Sequence, residues 1–245
     1  MKSLAVIPAR FASTRFPGKP LALLAGKPVV QHVWERCRGA AGVDQVIVAT
    51  EDERICRACH AFGAPCEMTS ADHRSGTDRV AEVAGRHPEY EIVLNVQGDE
   101  PAIAEQTIAA VVAALREGGC TIATPVAPAP LDDVANPNVV KVVVSLAGDA
   151  LYFSRAPIPF HRDRPASTRP EYLRHLGLYG FRREALLRVA QLPPSPLETA
   201  ESLEQLRWLQ AGWTIRCVTV ATFSAGVDTP EDLKALEKSW RGASR

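Results

Sequence analysis

Residues 4–20 read LAVIPARFASTRFPGKP, an apolar run followed by a basic loop. The run Leu4–Ile7 stops at Pro8 and carries no polar residue, which is typical of a parallel strand that is buried on both faces. The loop after it carries three cations, two hydroxyls and a glycine. Because ligands bind beyond the carboxyl ends of parallel strands, this segment predicts the first strand of a sheet and a binding site beside it.

The same alternation of strand and helix continues outward from this segment. Strands are predicted at 45–50, 66–69, 91–96 and 121–126, and helices at 29–38, 52–62, 77–85 and 103–117. Strands that alternate with helices form parallel sheets, since each helix carries the chain back to start the next strand. We therefore expect an α/β fold, with a mostly parallel Rossmann-like sheet and helices on both faces.

The pattern changes after residue 126. A proline-rich stretch precedes a predicted hairpin at 139–146 and 150–154, a β-like run at 175–181, a helix at 197–210, a strand at 214–220 and a helix at 230–240. We expect three parts: an α/β core over 1–126, a small β-rich excursion over 127–185, and a C-terminal return to the core over 186–245.

Composition excludes several classes of function. The 245 residues carry 28 Lys and Arg against 28 Asp and Glu, so no net charge attracts a nucleic acid or an anionic membrane, and we expect a small partner. No apolar run reaches the roughly 18 residues of a membrane span. The six cysteines form no secreted framework, which favours a cytoplasmic protein. We expect Cys56 and Cys59 to be half-buried helical thiols rather than a redox or zinc pair.

The basic loop is a candidate phosphate-binding site. Arg10, Arg15 and Lys19, with backbone N–H groups, can neutralise a triphosphate of about four negative charges although the chain as a whole is neutral. Neither G-x-G-x-x-G nor G-x-x-x-x-G-K-[ST] is present, which disfavours a dinucleotide-binding fingerprint and a P-loop NTPase. A solvated loop with scattered cations is the alternative interpretation.

Two carboxylates in later loops are candidate metal ligands. Asp99 comes shortly after the buried strand 91–96, where a carboxylate needs a partner such as a divalent cation. Asp228 precedes Thr229–Pro230, a good helix start, and is left over once that start is explained. We expect both carboxylates to reach one metal ion. For Glu100 we favour a structural role at the start of the next helix.

Two further segments carry groups that recognise ligands. Ser75, Gly76 and Thr77 form a turn that either presents polar groups to a base or sugar or caps the following helix, and the sequence favours neither. In the run 175–181, His175 shares a strand face with Tyr179. A lone histidine in a strand is more often structural than functional.

Taken together, these loops resemble one known family. The matching segments are IPARFASTRFPGKP (7–20), ADHRSGT (71–77), VQGDEP (96–101), ANPNVVK (135–141), YFSR (152–155), HLGLYG (175–180), SPLE (195–198), LEQLR (203–207) and GVDTP (226–230). The first segment resembles the nucleotide-binding loop of sugar-acid cytidylyltransferases in general. The later segments resemble the branch that activates 3-deoxy-manno-octulosonate (Kdo), and the resemblance covers nearly the whole chain.

The resemblance implies a fold of the nucleotide-diphospho-sugar transferase type. It also implies that CTP and Kdo give CMP-Kdo and diphosphate with Mg²⁺, for lipopolysaccharide biosynthesis. The CTP-binding residues would be Arg10, Ser13, Arg15, Lys19, Ser75, Gly76 and Thr77, and the Mg²⁺ ligands Asp99 and Asp228. The catalytic groups would be Arg10, Lys19, Asp99 and Asp228. The sugar would be surrounded by Gln97, Arg155, His175, Tyr179, Glu201 and Gln205, with Glu198 and Glu204 left open as alternatives on the same predicted helix.

The resemblance further implies a homodimer formed through the block 139–181. Two other functions remain open. One is a cytidylyltransferase for another sugar acid, such as an amino-substituted Kdo or a sialic acid, and the other is a non-catalytic nucleotide-sensing module. The presence of both Asp99 and Asp228 argues against the sensing module, because nucleotide binding alone tolerates the loss of one metal ligand.

Overall fold

The computed structural model describes residues 1–12, 15–162, 170–221 and 226–243. The strands are β1 Ser3–Pro8, β2 Leu23–Leu24, β3 Lys27–Pro28, β4 Gln45–Thr50, β5 Cys66–Met68, β6 Ile92–Asn95, β7 Ile122–Pro128, β8 Lys141–Val144, β9 Ala150–Ser154, β10 Leu173–His175, β11 Tyr179–Arg182 and β12 Arg216–Thr219. The helices are α1 Val29–Gly39, α2 Glu53–Ala61, α3 Gly76–Arg86, α4 Glu105–Glu117, α5 Leu131–Val134, α6 Arg183–Val189, α7 Pro196–Glu201, α8 Gln205–Gln210 and α9 Pro230–Ala243, with a 3-10 turn at Lys19–Leu21.

Ten of the described strands form one sheet. The strands β5, β4, β1 and β6 are parallel, as the alternation of strand and helix predicts. Beyond β6 the sheet continues through β11, β7, β10, β8 and β9 in antiparallel pairs, and β12 runs parallel to β7. The predicted hairpin forms as β8 and β9 and extends this sheet. The division of the chain into three parts stays a prediction.

The side chains of the central strands alternate between two buried layers. Leu4 and Val6 of β1 pack in the layer that contains residues of α3, α6 and α8. Ala5 and Ile7 pack in the opposite layer with residues of α1, α2 and α4. The α/β fold class with helices on both faces is therefore confirmed. None of the described helices is long and apolar enough to cross a membrane.

The prediction of one β run at 175–181 is wrong. The chain leaves β10 at His175 and crosses to β11, which lies on the other side of β7. The Thr124 hydroxyl of β7 donates to the carbonyl of Leu178 at 2.7 Å and fixes this crossing. The short helix α6, which follows β11 directly, was not predicted.

The prediction of a single helix at 197–210 is also wrong. Helix α7 ends at Glu201, the next residue Ser202 has a left-handed φ of 52°, and α8 begins at Gln205. The Arg155 guanidinium donates to the carbonyls of Glu201 and Ser202, at 2.8 and 3.3 Å. A continuous helix would use those carbonyls in its own hydrogen bonds, so the contact with Arg155 favours the break.

The prediction that Cys56 is a free thiol is wrong as well. Cys56 on α2 is bonded to Cys66 on β5, with 5.4 Å between their Cα atoms. The turn after α2 brings the chain back along the same helix, so that two cysteines ten residues apart face each other. Cys59 is a free, buried thiol, as expected.

Candidate active site

A cleft of about 400 Å³ opens at the carboxyl ends of β1 and β6. This is the edge where the sequence predicts ligand binding. Its polar lining includes Arg10, Arg15, Lys19, Arg74, Ser75, Gln97 and Asp99. The cleft therefore brings together the basic loop, the turn before α3 and the loop that carries Asp99.

Lys19 lies at the centre of the charged groups in this cleft. Its ammonium nitrogen is 2.6 Å from Asp99 Oδ2 and 3.5 Å from Asp228 Oδ1, and its side chain is only 12% exposed. Two loops far apart in sequence thus place carboxylates around one buried cation. Asp99 and Asp228 thus share Lys19 as a partner, and their predicted role as ligands of one metal ion stays a prediction.

A backbone hydrogen bond holds the two carboxylate loops together. The Val227 amide donates to the Asp99 carbonyl at 2.8 Å. The backbone amides of Asp228 and Thr229 donate to the Asp232 carboxylate at 3.0 and 2.8 Å, and the Thr229 hydroxyl accepts from the Asp232 amide. This reciprocal cap is the helix start that the sequence predicts, and it leaves the Asp228 carboxylate to pair with Lys19 and Arg15.

The two arginines of the basic loop have different partners. Arg10 donates to the carbonyl of His73 at 2.6 Å, which ties the loop to the segment before α3. Arg15 lies 3.2 Å from Asp228 and is largely exposed. Ser13, the remaining predicted phosphate-binding residue of this loop, lies outside the described residues.

A ring contact that the sequence did not reveal shapes the basic loop. The Gly18 amide donates to the Phe11 carbonyl at 2.9 Å, and Gly18 has a left-handed φ of 72°, which a glycine adopts without strain. The Arg54 guanidinium of α2 lies 3.4 Å from the Phe11 ring centroid. Helix α2 thereby holds one end of the loop that presents Lys19.

A glycine in the Asp99 loop permits close contact between two strand ends. A Cβ atom on Gly98 would lie 2.9 Å from the carbonyl oxygen of Pro8 at the end of β1. Since backbone cannot move away cheaply, any side chain at this position would push the Asp99 loop away from the basic loop.

Of the two interpretations of the turn before α3, helix capping is confirmed, and binding of a base or sugar stays a prediction. Ser75 caps the helix and forms a capping box with Asp78. Gly76 lines the cleft. Thr77 is 1% exposed, so its hydroxyl faces the interior rather than the cleft.

A buried hydrogen-bond chain leads from the cleft to α8. Gln97 donates to Asn95, Asn95 donates to Thr77, each at 3.3 Å, and Thr77 donates to the Glu204 carboxylate at 2.6 Å. Burial raises the pKa of Glu204, and its hydrogen bonds with Thr77 and Ser75 oppose the rise. Glu204, which the sequence left as an alternative, is the glutamate that reaches the turn before α3.

His175 and Tyr179 belong to an aromatic cluster behind the cleft. The His175 ring lies 5.0 Å from Phe153 and 5.2 Å from Tyr179, and Tyr179 packs edge-on against Trp208. Desolvation lowers the pKa of His175 to about 3 and raises the pKa of Tyr179 well above its ordinary value. His175 is therefore neutral at physiological pH. Gln205 is 4% exposed.

Arg155 and Glu201 hold the β8–β9 hairpin against α7. The Glu201 carboxylate accepts from the Ser154 hydroxyl at 2.6 Å and from the Arg155 amide at 2.9 Å. Next to them the ammonium of Lys141, which is 0% exposed, donates to three backbone carbonyls. Both predicted sugar-binding residues are thus engaged in structural hydrogen bonds and do not line the cleft.

The preferred interpretation of Glu100 as a helix-start residue is wrong. Helix α4 begins only at Glu105. A Cβ atom on Gly177 would lie 3.4 Å from Glu100 Oε1, so this carboxyl points toward the connection between β10 and β11. Burial, with the nearby Asp99 charge, raises the pKa of Glu100 to about 7, while Arg174 opposes the rise.

The donor set fits a hard cation that keeps other oxygen ligands. Among the described residues no group of three or more His, Cys, Asp or Glu side chains converges on one point. Asp99 and Asp228 supply two carboxylates around a position that a cation, the Lys19 ammonium, already occupies. Mg²⁺ in phosphate-binding sites is held in this manner, by one or two carboxylates with phosphate and water oxygens.

Comparison with known proteins gives consistent relatives. The sequence model of the Cytidylyltransferase family matches residues 4–215. The 3-deoxy-manno-octulosonate cytidylyltransferase of Geobacter sulfurreducens is 52% identical over 97% of this chain and 99% of its own, and that of Myxococcus xanthus is 48% identical over 98% and 97%. The solved structure of CMP:2-keto-3-deoxy-manno-octonic acid synthetase complexed with CTP is 44% identical, covers 99% of this chain and 100% of its own, and superimposes with a TM-score of 0.94.

Proposed function

The chain belongs to the 3-deoxy-manno-octulosonate cytidylyltransferases, and from this premise we propose that it transfers the cytidylyl group of CTP to Kdo. The products are CMP-Kdo and diphosphate, and the activated sugar serves lipopolysaccharide biosynthesis. The observation that carries the proposal is the cluster of Lys19, Asp99 and Asp228 in the cleft beyond β1 and β6. It places cationic groups for a triphosphate beside carboxylates for a metal ion.

The chemistry requires placement and charge neutralisation more than a covalent catalyst. The anomeric hydroxyl of the sugar attacks the α-phosphate in line with the departing diphosphate. We assign Arg10 and Lys19 to the phosphate oxygens, where their charges stabilise the leaving group. Lys19 then exchanges its present carboxylate partners for phosphate oxygens when the nucleotide enters.

We assign Asp99 and Asp228 as the residues that hold Mg²⁺. When bound there, Mg²⁺ supplies positive charge to the phosphate oxygens and to the attacking hydroxyl. The Val227–Asp99 backbone bond keeps both carboxylates at one place before any ligand arrives, so little ordering is left for the substrate complex.

The proposed sugar site lies between Gln97 and the aromatic cluster. Gln97 lines the cleft and contacts Asn95, whose register partner in the sheet is Tyr179. Because His175 is neutral, it can donate to or accept from a sugar hydroxyl without repelling a cation. Direct contact of the sugar with Arg155 and Glu201 requires these two side chains to exchange their present hydrogen bonds.

A diphosphate-release assay tests the activity. The protein is incubated with Mg²⁺ and each nucleoside triphosphate, with and without Kdo, and diphosphate is measured. The proposal expects release with CTP only, and only when Kdo is present. Parallel reactions with an amino-substituted Kdo and with a sialic acid separate the sugar-acid alternatives. Absence of release with every sugar acid would instead favour the nucleotide-sensing module.

We further propose that the protein is a homodimer through its β-rich half. A cleft of about 680 Å³ near α5 is lined by apolar side chains that include Leu131, Pro159 and Tyr172. Phe160, on its rim, is 76% exposed, and Leu131 is 56% exposed. An apolar surface of this kind is typical of a protein–protein contact. Sedimentation measurements test it: the wild type should be a dimer, and Phe160→Glu should shift it to monomer.

We also propose a cytoplasmic location, because the reaction consumes CTP. Four of the six cysteines are free thiols, which suits a reducing compartment, and the Cys56–Cys66 bond is the exception. Cell fractionation with an antibody against the chain tests this location, and recovery with periplasmic proteins would contradict it.

A further inference from the structure

A second cleft, of about 420 Å³, lies at the amino ends of the central parallel strands, and we call it the far cleft. It is opposite the substrate cleft, because its residues precede β6, β7 and β12 or follow the antiparallel strand β11. Its lining includes Tyr90, Thr121, Arg182, Arg183, Arg188 and Trp213. A cavity of this size is within the range that binds small molecules.

The three arginines of this cleft form no ion pair with a described carboxylate. Arg182 donates to the Leu115 carbonyl at 2.5 Å, and Arg183 donates through Nε to the Ala84 carbonyl at 3.0 Å. No carboxylate of the described residues lies within 4.0 Å of any of the three guanidinium groups, although Glu91 and Glu184 line the same cleft. Backbone carbonyls therefore orient two of these side chains while their positive charges remain available.

Three other arginines of the protein are neutralised by carboxylates, whereas Arg155, like Arg182 and Arg183, donates to backbone carbonyls. Arg86 Nη1 lies 3.1 Å from the Glu67 carboxylate, Arg207 Nη2 lies 2.5 Å from Glu198, and Arg216 Nε lies 2.6 Å from Asp149. Arginines held by a backbone carbonyl occur at both clefts, since Arg10 at the substrate cleft donates to the His73 carbonyl. A guanidinium fixed by a carbonyl and lacking a carboxylate is suited to an incoming anion.

Two aromatic side chains complete the far cleft. The Arg188 guanidinium carbon lies 5.0 Å from the Trp213 ring centroid, which fixes the arginine over a flat surface. Tyr90 and Trp213 are both half-buried and line the cavity. Ring faces next to cations recognise ligands that carry a planar base and a phosphate.

We propose that the far cleft is a second binding site, for a nucleoside monophosphate or a ligand of the same chemistry. The phosphate lies against the terminal nitrogens of Arg183 and against Arg188, and the base lies against Tyr90 and Trp213. The site is separate from catalysis, since six residues of extended chain, about 20 Å, separate Glu91 from Gln97.

Calorimetric titration with AMP tests this site. The wild type should bind AMP, and adenosine, which lacks the phosphate, should bind at least about tenfold more weakly, because charge-assisted hydrogen bonds to the phosphate are lost. The double variant Arg183→Gln/Arg188→Gln should weaken AMP binding by at least about tenfold and keep its CTP-dependent turnover. Retained turnover shows that the variant is folded; if the double variant does not fold, the exposed single variant Arg188→Gln replaces it.

A matched variant in the substrate cleft identifies where AMP binds. Arg10→Gln should leave AMP affinity unchanged. Loss of AMP binding in Arg10→Gln with full binding in the double variant would place AMP in the substrate cleft and overturn the proposal. Equal affinity for AMP and adenosine, or no heat of binding at millimolar AMP, would overturn it as well.

Discussion

The two arginine-lined clefts lie at opposite ends of the same sheet and have nearly the same volume, about 400 and 420 Å³. At the carboxyl end, Lys19 and Arg15 face the carboxylates of Asp99 and Asp228. At the amino end, Arg183 and Arg188 have no carboxylate partner among the described residues. In the first cleft the cations are therefore paired with carboxylates, whereas in the second the arginines form no ion pair with a described carboxylate, although Glu91 and Glu184 also line it.

This difference distinguishes a site for reaction from a site for binding. Phosphoryl transfer needs cations for the phosphate oxygens and carboxylates for a metal ion in one place. Binding an anion needs only oriented cations. The two carboxylates also offset the cost of holding the Lys19 ammonium, whose side chain is only 12% exposed.

The largest effect is expected when a carboxylate is removed from the cleft at the carboxyl end of the sheet. Asp99→Asn should lower turnover at least about 100-fold, about 2.7 kcal/mol of transition-state stabilisation, because the metal loses an ionised ligand. Steady-state diphosphate release measures the effect, and circular dichroism checks the fold. Near-normal turnover in a folded Asp99→Asn protein would end its assignment as a metal ligand.

Removing the shared cation is the next test. Lys19→Met should lower kcat/KM for CTP by roughly 30-fold, about 2 kcal/mol, because a phosphate contact is lost. Stability should change by less than about 1 kcal/mol, since the two carboxylates are partly solvated and repel each other weakly. Urea unfolding beside the kinetic assay separates the two effects. A large loss of stability with unchanged kcat/KM would make Lys19 a structural residue only.

Two histidines near opposite ends of the sheet should give the protein opposite pH responses. Desolvation lowers the pKa of His175 to about 3. Below pH 6.5 this histidine is therefore protonated in the unfolded chain and stays neutral in the folded one. The contribution of His175 to the free energy of unfolding is therefore fully present above pH 6.5 and falls by roughly 2 kcal/mol between pH 7 and pH 5. His175→Gln should therefore lose less stability than the wild type over that range in urea unfolding.

His87, which precedes the far cleft, has the reverse sign. Burial opposes protonation of His87, but Glu67 and Glu89 raise its pKa overall. The contribution of His87 to the free energy of unfolding is fully present below pH 6.5 and is lost as the pH rises through its raised pKa. His87→Gln should lose more stability than the wild type between pH 7 and pH 5, by less than about 1 kcal/mol because the pair is partly exposed. Identical slopes for the two variants would contradict both assignments.

The smallest effect is expected in the far cleft. Arg188→Gln should change turnover by less than about twofold, because it lies farther from the reacting groups than the screening length of about 8 to 10 Å at physiological salt. The diphosphate assay measures this directly. A tenfold loss of turnover in a folded Arg188→Gln protein would show that the two clefts are energetically coupled.

Local sequence signals predicted the strands and loops of the core well. The run Leu4–Ile7 and the strand 45–50 lie where their apolar patterns place them, because a buried parallel strand needs apolar side chains on both faces. The helix start at Thr229–Pro230 is also where the cap residues indicate. Each of these signals depends on neighbours within a few residues.

Signals failed where distant groups override local preference. The pattern at 197–210 suits one amphipathic helix, but Arg155 donates to the carbonyls of Glu201 and Ser202, and the helix breaks there. The run 175–181 has a continuous strand pattern, but β7 lies between its two halves. Neither Arg155 nor β7 is near these segments in sequence, so no local pattern could show their effect.

By itself the sequence determined the class of fold, the positions of the core strands along the chain and which loops carry charged groups, since periodicity, caps and turn residues act over short distances along the chain. Only the tertiary structure decided which charges meet. Lys19 contacts carboxylates 80 and 209 residues away, and Glu204 rather than Glu201 reaches the turn before α3. At the far end of the sheet, three arginines form no ion pair with a carboxylate in the part of the chain that the structure describes. These pairings depend on how the strands are ordered in space, which fixes distances that no local pattern encodes.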